Sequence, residues 1–148
     1  LLKKSGYPGM KILQFAFDSR EESDYLPHNY THNCVVYTGT HDNDTVMGWY
    51  DTLKGADKKL CDDYLRLKNA DGEPIPREQL PWEFVRAAMS SVADLAIIPM
   101  QDYLGLGSEA RINIPSTLGI NWKWRMGNGD FTKELAGRIR SMTKLYGR

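Results

Sequence analysis

Three places along this chain combine acidic, amide or imidazole side chains directly after a short apolar run. KILQFAF (residues 11–17) leads into Asp18, CVVY (residues 34–37) leads through Thr38-Gly39-Thr40 into His41-Asp42-Asn43-Asp44, and LAIIPM (residues 95–100) leads into Gln101-Asp102. If the runs are parallel strands, the polar groups at their carboxyl ends converge on one rim, where the chemistry of parallel α/β folds collects. The second cluster is the densest. Its ordinary reading is a helix N-cap and turn, because Asp and Asn accept bonds from the free N–H groups of a first helical turn. A calcium loop is a further reading, but that motif needs acidic or amide ligands at alternate positions, and Thr45, Val46 and Met47 follow instead.

Other candidate sites fail on context. Gly105-x-Gly107-x-x-Ala110 follows a predicted strand and matches the outline of a dinucleotide fingerprint. That fingerprint must open a helix which receives pyrophosphate at its N-terminus, whereas Ile112-Asn113-Ile114-Pro115 reads as extended. His28 and His32 have no local set of His or Cys partners and do not make a zinc site. Trp49, Tyr50 and Trp82 fall in or beside helical patterns and read as core. Trp122 and Trp124 alternate with Asn121, Lys123 and Arg125 in a loop, a composition suited either to stacking on sugar rings or to wedging the loop against the body of the fold.

The elements that must position these groups follow from periodicity. Strands are expected near 11–17, 34–38 and 95–100. A helix over 44–53 starts on the Asp42-Asn43-Asp44 cluster, and a second, striped by Leu60, Tyr64 and Leu67, ends near Gly72. Pro81 opens a third, with Phe84, Val85, Ala88 and Val92 on its apolar face. Leu135, Ile139, Met142 and Leu145 stripe a closing helix, and both are expected to pack on the sheet. Strands alternating with helices imply right-handed βα units, so the fold class is α/β with a parallel sheet. Three strands make an incomplete sheet of that kind. The irregular stretch from Gly105 to about Asp130 is long enough to read as functional.

Composition excludes several partner classes. The 148 residues carry 19 Lys and Arg against 19 Asp and Glu, so no excess charge argues for nucleic acid or an anionic membrane surface. Cys34 and Cys61 lie far apart without a repeated spacing and read as free thiols in a reducing compartment, which makes the cytoplasm the expected location. No apolar run approaches the roughly 18 residues of a membrane span, and the opening lacks the order of a signal peptide. The first residues, Leu-Leu-Lys-Lys-Ser-Gly, read as the end of an amphipathic helix, so a preceding segment of the protein is expected.

Seven strings in order then resemble successive motifs of the 4-alpha-glucanotransferase (amylomaltase) family. They are Gly9–Phe15, Leu26–Tyr30, Val36–Thr45, Ser91–Ala96, Pro99–Leu106, Glu109–Pro115 and Asn121–Arg125, spaced so that the likeness runs along nearly the whole chain. Ser116 departs from the pattern, standing where the family usually carries glycine after the proline. The resemblance implies a (β/α)8 barrel of which this chain supplies the last three βα units, with the upstream part of the same enzyme as its covalent partner. It implies a retaining double displacement on α-1,4-glucans and maltooligosaccharides, whose nucleophilic aspartate and acid/base glutamate lie upstream. Asp42 matches the family's third carboxylate, which grips the 2- and 3-hydroxyls of the sugar at the cleavage point, and His41 matches a neighbouring sugar-binding histidine. Asn43, Asp44, Gln101, Asp102, Arg111 and Asn113 are the other expected substrate contacts. No cofactor and no metal are expected. An amylase-like hydrolase and a noncatalytic carbohydrate-binding piece are the alternatives, and the chain on its own is expected to be inactive and of low stability or self-associating, because a barrel fragment exposes apolar surface that its missing strands would cover.

Overall fold

The computed structural model describes residues 2–148, and Leu1 lies outside the described residues. Three parallel strands, β1 (Gly9–Ile12), β2 (Cys34–Tyr37) and β3 (Leu95–Ile97), form one sheet in the order β1-β2-β3. Lys11 pairs with Val36 and Val36 with Ala96, so the three strands run in simple succession across the sheet. The helices are α1 (Leu2–Ser5), α2 (Val46–Thr52), α3 (Gly55–Tyr64), α4 (Leu80–Met89), α5 (Met100–Leu104) and α6 (Lys133–Leu145). The α/β reading with a parallel sheet therefore holds.

Two strands are shorter than their apolar runs. β1 stops at Ile12 and the chain turns through a 3₁₀ segment, Leu13–Ala16, that buries Leu13, Gln14 and Ala16. An apolar run specifies burial and not extension, and here three of its residues are buried by turning inward. β3 stops at Ile97 because Pro99, which has no N–H for a ladder, stands just before α5. The helices shift for similarly local reasons. α2 begins at Val46 with Thr45 as its cap, whose hydroxyl accepts from Gly48 N at 3.0 Å. α3 ends at Tyr64, and Arg66 takes a φ of 56°, a left-handed turn that drops Leu67 into the core instead of continuing the helix to Gly72. Val92 lies beyond the end of α4 and is exposed, and Leu145, in the last turn of α6, is exposed as well.

α4 is the centre of the packing because it is apolar on more than one side. Phe84 is fully buried, with its ring edge against Phe17, Trp49 and Tyr50. Ala88 lies on Cys34 and Val36 of β2. Trp82, Val85 and Met89 meet Met142 of α6, with Leu135 and Ile139 partly buried against them. Tyr50 and Trp82 are buried and Trp49 partly so, as their helical placement implied. α6 thus packs chiefly on α4, in a cluster that Ala96 and Ile98 also border. The other face of the sheet presents Met10, Leu95 and Ile97, all exposed, beside the half-buried Val35 and Tyr37 and the buried Ile12, so much of it stands open among the described residues. Parallel sheets are ordinarily covered on both faces.

Candidate functional site

The loop between β2 and α2, Thr38 to Thr45, is held from both neighbouring strands. From the end of β1, Gln14 Nε2 donates to Asp44 O at 2.8 Å, and Gln14 N donates to Thr38 O at 3.3 Å. Gly39 lies so close to that amide that a Cβ there would sit 2.5 Å from Gln14 Nε2, so a larger residue would require the Gln14 amide to shift. From the end of β3, Asp102 accepts from Thr38 Oγ1 at 2.5 Å and from Val46 N at 2.8 Å. Within the loop, Asn43 Oδ1 accepts from Thr40 N and Thr40 Oγ1 at 2.9 and 2.8 Å, closing a tight turn.

Several of the expected sugar contacts also bond to this scaffold. Asp102 is 1% exposed, and burial pushes its carboxyl up to about 6, against the opposing pull of the Thr38 and Val46 bonds and with the nearby Asp44 adding to the rise. Asp44 accepts from Thr45 N at 2.8 Å and from Ser108 Oγ at 2.6 Å. Gln101 is buried and donates to Ala110 O at 3.2 Å. Asn43 Oδ1, both Asp44 and both Asp102 carboxylate oxygens and Gln101 Nε2 thus bond within the protein and hold loops in place, while the four residues also line a cavity with His41 and Arg111.

His41, Asp42, Arg111 and Asn113 converge at the open edge of the same loop. The side chains of His41 and Asp42 are 54% and 51% exposed, with His41 Nε2 3.3 Å from Asp42 Oδ1. Asn113 Nδ2 donates to that same Oδ1 at 2.6 Å. Arg111 Nη2 donates to Asp42 O at 2.7 Å and Arg111 Nε to Asn113 O at 2.9 Å, while Asn113 N donates to His41 O at 3.1 Å. Among the described residues no group donates to Asp42 Oδ2, which leaves one carboxylate oxygen open to solvent. A half-exposed carboxylate fixed on one side and open on the other can accept hydrogen bonds from ligand hydroxyls.

Trp122 completes the edge. Its ring lies 5.1 Å from that of His41, tilted by 40°, and the residue is exposed. The segment reaches this place by folding back on itself: Trp122 N donates to Ile112 O at 2.7 Å, and Asn121 Oδ1 accepts from Ile114 N at 2.9 Å. Ser116, inside that loop, has a φ of 65°, the left-handed region that glycine enters most easily. Of the two readings of the tryptophan loop, Trp122 thus stands at the site with its face against His41, while Trp124 is partly buried.

Asp18 does not join the group. Its carboxylate pairs with the Arg20 side chain at 2.6 and 2.8 Å and is held down to about 2 by it. Because β1 ends at Ile12, the side chain at the carboxyl end of that strand is Gln14, and its one signal in the sequence was an amide within an apolar run. Thr38 and Ser108 likewise left no local trace. Among the described residues no group of three or more His, Cys, Asp or Glu is arranged to hold a metal ion, and no helix is long and apolar enough to cross a membrane.

Comparisons with known proteins place the chain in a family and a fold. The 4-alpha-glucanotransferase of Clostridium butyricum is 50% identical over 147 residues, 99% of this chain and 29% of that protein. That of Thermus thermophilus is 47% identical over 148 residues, 97% of this chain and 29% of its own length. Among solved structures, the amylomaltase from Streptococcus agalactiae in complex with acarbose superposes with a TM-score of 0.89 at 36% identity, over 99% of this chain and 28% of that one. The amylomaltase from Corynebacterium glutamicum, at 13% identity and a TM-score of 0.68, covers 96% of this chain and 26% of its own, and shares the fold. The chain spans less than a third of the length of these relatives. Since the sequence profile of the 4-alpha-glucanotransferases also matches residues 1–130, the chain belongs to the 4-alpha-glucanotransferase family.

Proposed function

We propose that this chain is the C-terminal part of the catalytic barrel of a retaining 4-alpha-glucanotransferase, contributing the last three βα units, and that Asp42 is its transition-state-stabilising carboxylate. The observation that carries the reading is the state of Asp42: Oδ1 is pinned by Asn113 at 2.6 Å and Oδ2 is open, beside His41 and Trp122. The exposed sheet face with Met10, Leu95 and Ile97 fits strands that the remainder of the barrel would adjoin.

In this mechanism an aspartate outside the chain attacks the anomeric carbon while a glutamate, also outside it, protonates the departing glycosidic oxygen. The glycosyl-enzyme is then resolved by the 4-hydroxyl of another glucan, which gives its proton back to the glutamate. Asp42 accepts bonds from the 2- and 3-hydroxyls of the distorted ring, and these strengthen as positive charge grows on it. His41, Arg111 and Asn113 line the same ring. One such contact is worth ~3 kcal/mol of transition-state stabilisation. α-1,4-Glucans and maltooligosaccharides are the ligands, and the isolated chain, without nucleophile or acid/base, is inactive. The buried thiols of Cys34 and Cys61 are compatible with a cytoplasmic enzyme.

The test is to incubate the full-length protein, wild type and Asp42→Asn, with maltotriose and to separate the products by size. Glucose together with a ladder of longer maltodextrins, lost in Asp42→Asn, is the expected result. Only shorter sugars would assign a hydrolase, and an unimpaired Asp42→Asn would remove Asp42 from the mechanism.

A further inference from the structure

Asp102 raises a question that its place in the sequence does not answer. A carboxylate 1% exposed, beneath a loop at whose edge substrate is proposed to bind, has both its oxygens engaged by the protein itself. Its two oxygens instead take two donors from opposite ends of one loop. Oδ2 receives the Thr38 hydroxyl, just past the end of β2, and Oδ1 receives Val46 N, the first residue of α2. Between those two anchors lie seven residues, 39–45, including His41 and Asp42.

Both ends have a need that Asp102 meets. Val46 N is at a helix N-terminus and has no intrahelical acceptor, so it must find one outside the helix. Thr38 is itself fully buried, and its hydroxyl needs a partner there. A single planar carboxylate offers two acceptors at fixed separation, so it sets the distance between the loop's ends as well as satisfying each. Gln14 adds a third point of attachment from the opposite side through Asp44 O.

We infer that Asp102 is a positioning residue for the proposed catalytic loop: it fixes both ends of Thr38–Val46 and thereby the placement of Asp42, without touching substrate. The inference rests on the reading of Asp42 given above for its consequence in catalysis, but its structural content stands apart from that reading.

The side chains predict how substitutions should divide. Asp102→Ala leaves both donors without a partner. In Asp102→Asn, the amide oxygen can accept from Val46 N while its Nδ2 donates to Thr38 Oγ1, so both anchors survive without the charge. Thr38→Val keeps the shape and removes one anchor, which keeps the inference testable if Asp102→Ala does not fold.

The experiment uses the full-length protein and two readouts. In hydrogen exchange, amides of 40–46 should exchange at least about tenfold faster in Asp102→Ala or Thr38→Val, with α4 unchanged, and Asp102→Asn should restore protection. In maltotriose disproportionation, Asp102→Ala should lower kcat about a hundredfold, the order that a misplacement of about 1 Å brings, with KM within about threefold and kcat largely rescued by Asp102→Asn. Unchanged exchange at 40–46, or an equal rise in α4, would overturn the inference, as would a raised KM with kcat retained, which would make Asp102 a substrate contact. If the wild type shows no glucan transfer, the functional reading fails, while the exchange pattern still decides whether Asp102 holds the loop.

Discussion

Asn113 Nδ2 donates to Asp42 Oδ1 at 2.6 Å across 71 positions of sequence, so the orientation of the carboxylate in the β2–α2 loop is set by an amide that arrives well after β3. The contact is reinforced by the backbone, since Asn113 N also donates to His41 O. Two loops from different strand ends are thereby fastened edge to edge, through Oδ1 alone.

That pairing predicts a separation of activity from stability. Asn113→Ala leaves the fold intact because the bond is near the surface, and unfolding free energy should change by ~1 kcal/mol or less. Turnover of maltotriose by the full-length protein should nevertheless fall by at least about tenfold, as Asp42 loses the donor that fixes its rotamer. Asn113→Asp should be worse at neutral pH, because a second carboxylate beside Asp42 repels it. Steady-state kinetics alongside thermal unfolding check both.

Ser116 holds a φ of 65° on an exposed loop. A left-handed conformation costs a non-glycine residue roughly 1–2 kcal/mol, and glycine's greater loss of freedom on folding offsets part of that. Ser116→Gly should therefore stabilise the protein by up to ~1 kcal/mol, read as a raised midpoint of thermal unfolding. The same change should leave Trp122 against His41, measurable by unaltered tryptophan fluorescence.

Asp102 predicts a pH dependence of the opposite sense to that of a paired surface carboxylate. Its folded-state value of about 6 lies above the ordinary 3.8, so between those values the folded state binds a proton that the unfolded state does not. By linkage, its contribution to stability improves as the pH falls from 7 toward 4. Asp51, drawn down by the Arg77 side chain, works the other way and loses stability in acid. The difference between wild type and Asp102→Asn isolates the first effect. Relative to the variant, the wild type should gain stability by ~2 kcal/mol from pH 7 to 4, followed by urea unfolding at each pH.

Much of the architecture was legible because strand and helix periods are local properties. The runs at CVVY and LAIIPM gave β2 and β3, Pro81 marked the start of α4, and Phe84, Val85 and Ala88 are its buried positions. The run KILQFAF misled because apolar character reports burial alone, and a 3₁₀ turn buries Leu13 and Ala16 as well as a strand would. That error displaced the end of β1, and with it the reading of Asp18, which lies in an exposed turn with Arg20.

The amino-acid order by itself determined the α/β class, the family resemblance and the clustering of His41 with Asp42 behind a strand. Only the tertiary structure decided which polar groups face outward and which hold the loop. Gln14 to Asp44, Thr38 to Asp102, Asp42 to Asn113 and His41 to Trp122 are all joined across long sequence separations. Such bonds depend on the register of β1, β2 and β3 and on where each strand stops. Identical residue types, Asp42, Asp44 and Asp102, therefore end in three different environments, one half-open, one bonded to a neighbouring loop and one buried.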